Sequence, residues 1–441
     1  YTSYPTALQF DERFSADDYA DQVRRSNAAA HPAPLSVYIH IPFCEHLCFY
    51  CACNKIATRN RDRAAAYLDA LLREIDLKAR LFEPRRRVEQ IHFGGGTPTF
   101  LTPPQLGSIL DRLKQWFDLS GDASGDYSIE IDPRTVAPEH MHDLRELGFN
   151  RVSLGVQDFD PAVQQAVHRI QSPEQTLGIL QASRDAGVRS VNVDLIYGLP
   201  KQTPASMQDT LSHVLEVRPD RISLFNYAHI PARFPAQRRI ADADLPNPEG
   251  KLEILRSSVE TITAAGYLYI GMDHFALPDD ELARARADGT LHRSFQGYTT
   301  HSACELVAFG VSSIEGVGRC FSQNAHRVED YRRRVEDGRL PVARGTLLDD
   351  DDLVRAHVID QLMCFGTLSL PDVEQRFGVD FAGYFEPEMN RLGTFVNDGL
   401  LRVNDDSIKV TGRGRMLVRN ICASFDKYLH EHQADRFSKT I

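Results

Sequence analysis

The feature that most constrains this chain is a run of alternating short apolar strands and amphipathic helices. Strands are expected at residues 35–41, 88–93, 127–131, 151–156, 190–196 and 221–227. Helices are expected between them at 64–81, 104–117, 138–147, 173–186 and 204–217. Alternation of this kind builds a parallel sheet, and prolines near several helix starts suit the first helical turn. The strands are one-sided, because strand side chains alternate between faces. Val37, Ile39 and Ile41 oppose Tyr38 and His40, and Ile91 and Phe93 oppose His92. Ile129 and Ile131 oppose Ser128, Glu130 and Asp132. Val152, Leu154 and Val156 oppose Ser153, Gly155 and Gln157, and Val191, Val193 and Leu195 oppose Asn192 and Asp194. A doubly wound sheet covered by helices on both sides would be apolar on both faces. The pattern predicts an α/β fold instead, a partial (β/α)6 barrel of TIM-like type with a polar interior. Chemistry is then expected at the C-terminal ends of the strands.

After residue 227 the rhythm changes. A loop-rich stretch at 229–248, a helix at 250–265 and an extended stretch at 267–275 precede a mixture of short helices and loops at 279–345. Helices at 353–364, 370–377 and 384–397, a hairpin at 400–410 and a last helix at 413–428 suggest a winged-helix-like module. The expected organisation is an N-terminal arm at 1–34, a catalytic domain at 35–345 with its partial barrel at about 35–230, and a helical C-terminal domain at 346–441. The first residue is Tyr1 rather than Met, so an upstream start and an incomplete arm are expected.

The formal charge of −11 argues against non-specific nucleic-acid binding. No apolar run reaches the length of a membrane helix and no signal peptide is visible. A cytoplasmic, monomeric protein is expected. Cys304, Cys320, Cys364 and Cys422 are scattered and read as buried thiols. The other four cysteines share one loop after the first strand, Cys44-Glu45-His46-Leu47-Cys48-Phe49-Tyr50-Cys51-Ala52-Cys53. Cys44, Cys48 and Cys51 can each hold one iron of a 4Fe–4S cluster and leave the fourth iron open. A zinc site would ordinarily need a second ligand pair downstream; Cys53 can in principle complete a compact one. Gly94-Gly95-Gly96-Thr97 ends the second strand at the same sheet end. It reads as a tight turn or as close backbone approach to a ligand. Glu130 and Asp194, turned inward, need hydroxyl or cationic partners.

The C-x3-C-x-aromatic-C loop resembles the radical S-adenosylmethionine superfamily. Residues 1–7, His40–Cys44, Cys51–Lys55, Gly94–Pro98, Gly155–Phe159, Asp194–Pro200, Phe225–His229, Gly271–Phe275 and Phe295–Thr300 together resemble the oxygen-independent coproporphyrinogen III oxidase family over nearly the whole chain. The resemblance implies oxidative decarboxylation of two propionates of coproporphyrinogen III to vinyl groups, giving protoporphyrinogen IX. It implies one 4Fe–4S cluster and two S-adenosylmethionine molecules. Tyr38, Gly95, Glu130 and Ile314 would contact the first; Tyr50, Gly96, Thr97, Gln157, Arg169, Asp194 and Ala228 would contact the second. Cys53 and Glu130 are its catalytic candidates. It also implies a reducing donor such as flavodoxin or ferredoxin. Tyr50 departs from the family's Phe. Cations are needed for the substrate carboxylates, with Lys201, Arg233 and Arg238 among the candidates. Two rivals differ in class. A haem chaperone of the same branch would have Phe where Cys53 stands. A DNA-binding regulator would need a more basic C-terminal module than one that opens with Asp349–Asp352.

Overall fold

The computed structural model describes residues 3–119 and 125–429. Tyr1 and Thr2 of the first motif lie outside the described residues, as does the end of the C-terminal region. The chain forms two compact units. The larger spans Asp11–Gly266 and Ala303–Thr346.

The larger unit is built on seven parallel strands: β1 (Leu35–Ile41), β2 (Arg87–Gly95), β3 (Asp126–Ile131), β4 (Arg151–Gln157), β5 (Ser190–Tyr197), β6 (Arg221–Asn226) and β7 (Glu305–Phe309). Their order is β6-β5-β4-β3-β2-β1-β7, each pair in parallel register. Antiparallel β8 (Ile314–Val317) and β9 (Cys320–Asn324) extend the β7 edge, and β10 (Val342–Leu347) lies beyond β9. Helices α2 (Asp62–Ala79), α3 (Pro103–Trp116), α4 (His140–Glu146), α5 (Pro173–Asp185) and α6 (Pro204–Val217) connect β1 to β6 in turn; α1 (Ala16–Asn27) precedes them. The helix starts carry their own signals. The hydroxyls of Ser172 and Thr203 accept from Gln175 N and Ser206 N at 3.1 Å, each ahead of a proline in the first turn.

The one-sidedness of the strands is what the fold uses. Val37, Ile39, Ile41, Ile91, Phe93, Ile129, Leu154, Val156, Val191, Val193 and Leu195 are fully buried against the helices. Tyr38, His92, Glu130, Asn192 and Asp194 on the other face stay partly accessible although they sit mid-sheet. The six expected strands of the partial barrel are all present.

The arm at 1–34 contains α1, started by a reciprocal Ser15–Asp18 capping box, with Tyr19 and Val23 fully buried. One expectation fails in this unit. The stretch at 279–345 supplies β7–β10 rather than mainly helices and loops. Short strands of this kind are stabilised by pairing with distant neighbours, which periodicity does not reveal.

A buried ion network holds that extension on the barrel. Lys78 Nζ of α2 donates to Ala308 O at 2.6 Å, lies 2.9 Å from Glu315 Oε1 and lies 3.1 Å from Glu74 Oε1. Glu74 also accepts from Gly310 N at 2.7 Å, Tyr331 OH at 2.6 Å and Asn324 Nδ2 at 2.6 Å. Burial pushes the Glu74 carboxyl up, and Lys78 and these donors oppose that.

Among the described residues, the smaller unit gathers Tyr267–Ser302, residues 347–429 and residues 3–10. This differs from the expected three-part division along the chain. The reason is one apolar core: Tyr4, Ile270, Met272, Leu282 and Leu291 pack with Val358, Leu362, Phe381, Phe385 and Ile421. Tyr4 OH also donates to Asp352 at 3.0 Å. Helices Asp350–Phe365, Leu370–Phe377 and Glu386–Asn397 accompany a three-stranded sheet in which Ser407–Val410 pairs with Thr367–Ser369 and Leu401–Val403. The expected last helix is instead a 3-10 turn at Gly414–Leu417 and a helix at Val418–Ala423. The acidic opening is structural: Asp349 caps its helix, and Lys427 Nζ lies 3.0–3.1 Å from Asp349, Asp351 and Asp352.

Replacing Lys78 with Met leaves two buried carboxylates without their cation. Urea unfolding of Lys78→Met should show a loss of about 3–5 kcal/mol. That loss should shrink from about pH 8 toward about pH 5, as the carboxyls protonate in the folded chain. A deficit under about 1 kcal/mol would mean that the network contributes little.

Candidate active site

Cys44 ends a two-residue strand, Phe43–Cys44, just beyond β1, and Cys48 and Cys51 follow on the loop. All three are free thiols, Cys44 and Cys48 buried and Cys51 partly so. Cys44 Sγ accepts from Thr97 Oγ1 at 3.5 Å. Cys48 Sγ faces two guanidiniums, Arg134 Nη2 at 3.4 Å and Arg169 Nη1 at 3.6 Å. Burial pushes the Cys44 thiol up to about 12, whereas a hydrogen bond from Cys53 brings Cys51 down to about 6. Gly96 closes in from β2: its N–H donates to Ile41 O at 2.8 Å, and a Cβ there would meet Pro42 C at 2.8 Å and Phe43 O at 2.9 Å. Three soft thiol donors on one loop, flanked by cations, fit an iron–sulfur cluster.

The inner face supplies two polar groups of residues. In the first, Tyr38 stacks on His92 with ring centroids 5.8 Å apart, and Tyr38 OH lies 3.1 Å from His40 Nδ1. His92 Nδ1 meets Ser128 Oγ at 2.6 Å, and His92 Nε2 lies 3.3 Å from Glu130 Oε1. Gly95 N donates to Glu130 Oε2 at 3.2 Å. Burial pushes the Glu130 carboxyl up, but His92 and the Gly95 N–H more than offset it, so its pKa ends below the ordinary range. Its side chain still keeps 41% of its surface accessible, so carboxylate oxygen is presented to the interior. Ala308 pairs with Tyr38 and Leu306 with Gly316, which brings Ile314 into the row of Tyr38.

In the second group, Asp194 accepts from Ser153 Oγ at 2.7 Å and Asn192 Nδ2 at 2.8 Å; Ser223 Oγ supports Asn192 Oδ1 at 3.1 Å. Burial raises Asp194 to about 6, with the charge of Glu130 adding to the rise.

Above these groups, Asp132 binds both Arg134, at 2.6 Å, and Arg169, at 3.3 Å, and is held down to about 2 against its burial. Arg169 Nη2 also donates to Gly155 O, yet its Nε is buried without a partner. A Cβ on Gly155 would meet Arg169 Nη2 and Gln157 Nε2, each at 2.9 Å, so only glycine lets both side chains cross there. Gln157 itself has φ 68°, an uncommon conformation for a non-glycine residue at the end of a strand. Gln237 Nε2 donates to Tyr50 O and Ala228 O, both at 3.0 Å, and so ties the cysteine loop to the segment after β6.

Tyr38, Glu130, Gln157, Asp194 and Ile314 share the inner face, and the cysteine loop, Gly95–Thr97 and Arg169 border its C-terminal end. Arg169 pairs with Asp132, and Cys53 is exposed and hydrogen-bonded to Cys51. His40, His92, Ser153 and Asn192, also on the inward face of the strand pattern, orient Asn54, Glu130 and Asp194. The strand pattern does not reveal Arg134 as a partner of Cys48, nor Asp132 as the carboxylate that holds Arg134 and Arg169 there, because these contacts depend on the fold of the loop after β3.

Asp194 generates a prediction of its own. Its folded pKa is raised, so the ionised form costs stability above that value, and the cost disappears below the unfolded value of about 3.9. Asp194→Asn should raise the thermal midpoint of the metal-free protein at about pH 8, with the gain fading toward about pH 5. Equal midpoints for variant and parent at the higher pH would contradict this.

Comparison with known proteins accords with the geometry. Residues 38–214 match the radical SAM superfamily and residues 348–417 match the HemN C-terminal domain. An oxygen-independent coproporphyrinogen III oxidase from Pseudomonas aeruginosa is 53% identical over 100% of this chain and 95% of its own length. The Escherichia coli protein of that name is 46% identical with the same coverage. The solved Escherichia coli structure, described as coproporphyrinogen III oxidase (HemN) and as a radical SAM enzyme, superposes with a TM-score of 0.93 at 47% identity, covering 97% of both chains. The chain belongs to the oxygen-independent coproporphyrinogen III oxidase family of the radical SAM superfamily.

Proposed function

We propose that this protein converts coproporphyrinogen III to protoporphyrinogen IX by oxidative decarboxylation of two propionate side chains in haem biosynthesis. Each propionate loses one hydrogen atom, carbon dioxide and one electron and becomes a vinyl group. The observation that carries the reading is the cysteine loop set over a polar inner face, in a chain about half identical to enzymes of that name along its whole length. No quoted relative is named as a chaperone, and nothing else favours that alternative.

The family uses a 4Fe–4S cluster and S-adenosylmethionine; when bound, they supply a 5′-deoxyadenosyl radical that takes the hydrogen atom. Cys44, Cys48 and Cys51 would hold three irons, and the guanidiniums of Arg134 and Arg169 would offset thiolate charge at Cys48. Tyr38, Gly95, Glu130 and Ile314 are our candidates for a first S-adenosylmethionine. Glu130, kept ionised by His92 and the Gly95 N–H, offers an acceptor to cationic or hydroxyl groups. Tyr50, Gly96, Thr97, Gln157, Arg169, Asp194 and Ala228 are our candidates for a second. Arg169 has an unused buried N–H for a carboxylate, and Asp194 accepts from amino or hydroxyl groups. Cys53 and Glu130 are the proposed catalytic residues. An electron donor of flavodoxin or ferredoxin type, a monomeric state and a cytoplasmic location complete the proposal. Among the described residues no helix is long and apolar enough to cross a membrane.

Two predictions follow from these assignments. Anaerobically reconstituted wild type should hold about four irons per chain, and Cys44→Ser, Cys48→Ser and Cys51→Ser should each lose the cluster's visible absorption. Cys53→Ala should keep the iron yet lose turnover; equal iron loss there would point to the compact zinc site instead. The second prediction concerns stoichiometry. Equilibrium binding should give about two S-adenosylmethionine per wild-type chain and about one for Asp194→Asn or Arg169→Ala, because losing a charged hydrogen-bond partner costs roughly 1.5–3 kcal/mol. The same variants should no longer turn coproporphyrinogen III over in an anaerobic assay with a reductant, whereas the wild type should yield the divinyl product. A wild-type stoichiometry of one removes the second site.

A further inference from the structure

The turn after β3 carries a largely buried arginine whose place is set by its own chain neighbours. β3 ends at Ile131, and Asp132-Pro133-Arg134-Thr135 follows. Thr135 N donates to Asp132 O at 3.0 Å and closes a turn with proline in its second position, where the fixed φ of the ring suits it. The Asp132 carboxylate folds back over the same turn. It accepts from Arg134 N at 3.1 Å, from Arg134 Nε at 2.9 Å and from Arg134 Nη2 at 2.6 Å. A guanidinium gripped by paired hydrogen bonds has one orientation rather than many. The Arg134 side chain keeps 10% of its surface accessible and that of Asp132 11%. In this orientation Arg134 Nη2 lies 3.4 Å from Cys48 Sγ.

The cysteines of the loop are not treated alike. Cys48 Sγ has a second cation, Arg169 Nη1, at 3.6 Å, whereas Cys44 Sγ meets the neutral hydroxyl of Thr97 at 3.5 Å. Arg169 also binds Asp132, at 3.3 Å, so Asp132 keeps a cationic partner whatever stands at position 134. Arg169 has an unused buried N–H and is already offered to a ligand carboxylate. Among the described residues, the Arg134 guanidinium pairs with Asp132 and Cys48 alone. Its chemistry is therefore directed at sulfur. Hydrogen bonds to the sulfurs and nearby net charge set the reduction potential of an iron–sulfur centre. An N–H and a positive charge against a thiolate favour the reduced centre, which carries one more negative charge. So little exposed, the guanidinium is weakly screened by water and salt.

We propose that Arg134, oriented by Asp132, raises the reduction potential of the centre held by Cys44, Cys48 and Cys51 and so eases its one-electron reduction. The inference rests on the cluster assignment above and adds Arg134 to it as a tuning residue. Asp132 is a positioning residue, because it acts through Arg134. In the step concerned, one electron leaves a low-potential carrier of flavodoxin or ferredoxin type, which is oxidised, and enters the centre; no bond is made or broken.

The test is a redox titration of the anaerobically reconstituted protein, followed by the electron paramagnetic resonance of the reduced centre. Arg134→Met removes the charge and the N–H donors at similar length. Its midpoint should fall by about 59 mV or more, a tenfold loss in the one-electron reduction equilibrium. Iron content should match the wild type, because the three cysteines are intact and Arg169 still pairs with Asp132. Arg134→Lys keeps the charge without the planar fork and should recover more than half of the shift. Arg61→Met removes an exposed arginine paired with Glu45 of the same loop, and should change the equilibrium less than twofold, since solvent screens that pair. An equilibrium in Arg134→Met within twofold of wild type overturns the proposal. An equal shift in Arg61→Met also overturns it, because that would report overall charge. A lysine variant as low as the methionine variant would report packing and counts against it too. If Arg134→Met takes up less iron, Arg134→Gln, neutral and of similar length, is titrated in its place and judged by the same limits. A wild type without a reducible centre sinks the cluster assignment and this inference together, whereas a reducible wild type with unmoved variants sinks this inference alone.

Discussion

A sheet whose helices cover only one face must find partners for everything polar on the other. That requirement governs this molecule. Tyr38, His92, Ser128, Glu130, Ser153, Asn192 and Asp194 occupy positions that a doubly wound sheet would fill with aliphatic side chains. They satisfy one another in two groups, one centred on Glu130 and one on Asp194. Neither group is saturated. Asp194 is held with its carboxyl raised to about 6, and Glu130 keeps much of its surface open to the interior. The polar face is therefore poised for a ligand that brings hydroxyl, amino or cationic groups, and its cost to the metal-free fold is part of its function.

The cysteine loop is placed by the same logic. It leaves β1, whose outward residues are buried under helices, and it is held from three sides. Gly96 and Thr97 hold it from the end of β2, Arg134 and Arg169 hold it at Cys48, and Gln237 holds it at Tyr50. The arginines do two jobs. They neutralise Asp132 and they set positive charge against sulfur. Small residues matter where chains cross closely: without a bare Gly155, Arg169 and Gln157 could not both lie over the end of β4.

The antiparallel extension beyond β7 is not decoration on the barrel. It supplies Ile314 to the row of Tyr38 and the His326 carbonyl to Asn54. A lysine and two glutamates, all buried, tie it to α2. A polar lock of this kind fixes one arrangement where an apolar contact would tolerate several. The smaller unit shows the opposite strategy, a single apolar core that collects segments from three parts of the chain.

The sequence by itself determined the barrel strands, the helices between them and the loop chemistry. These follow from local physics: period-two alternation, proline and hydroxyl caps at helix starts, and thiol spacing on one short loop. It also determined the inward set of Tyr38, Glu130, Gln157 and Asp194, because a side chain's face is fixed by its parity along a strand. Tertiary structure alone decided what those residues meet. It made Asp132 the partner of Arg169 and turned Cys53 toward Cys51. It made strands of residues in 305–347 and folded residues 267–302 with the C-terminal helices. In each case the deciding contacts join residues far apart in the chain. Their energy comes from burial and pairing between distant segments, which no local pattern encodes.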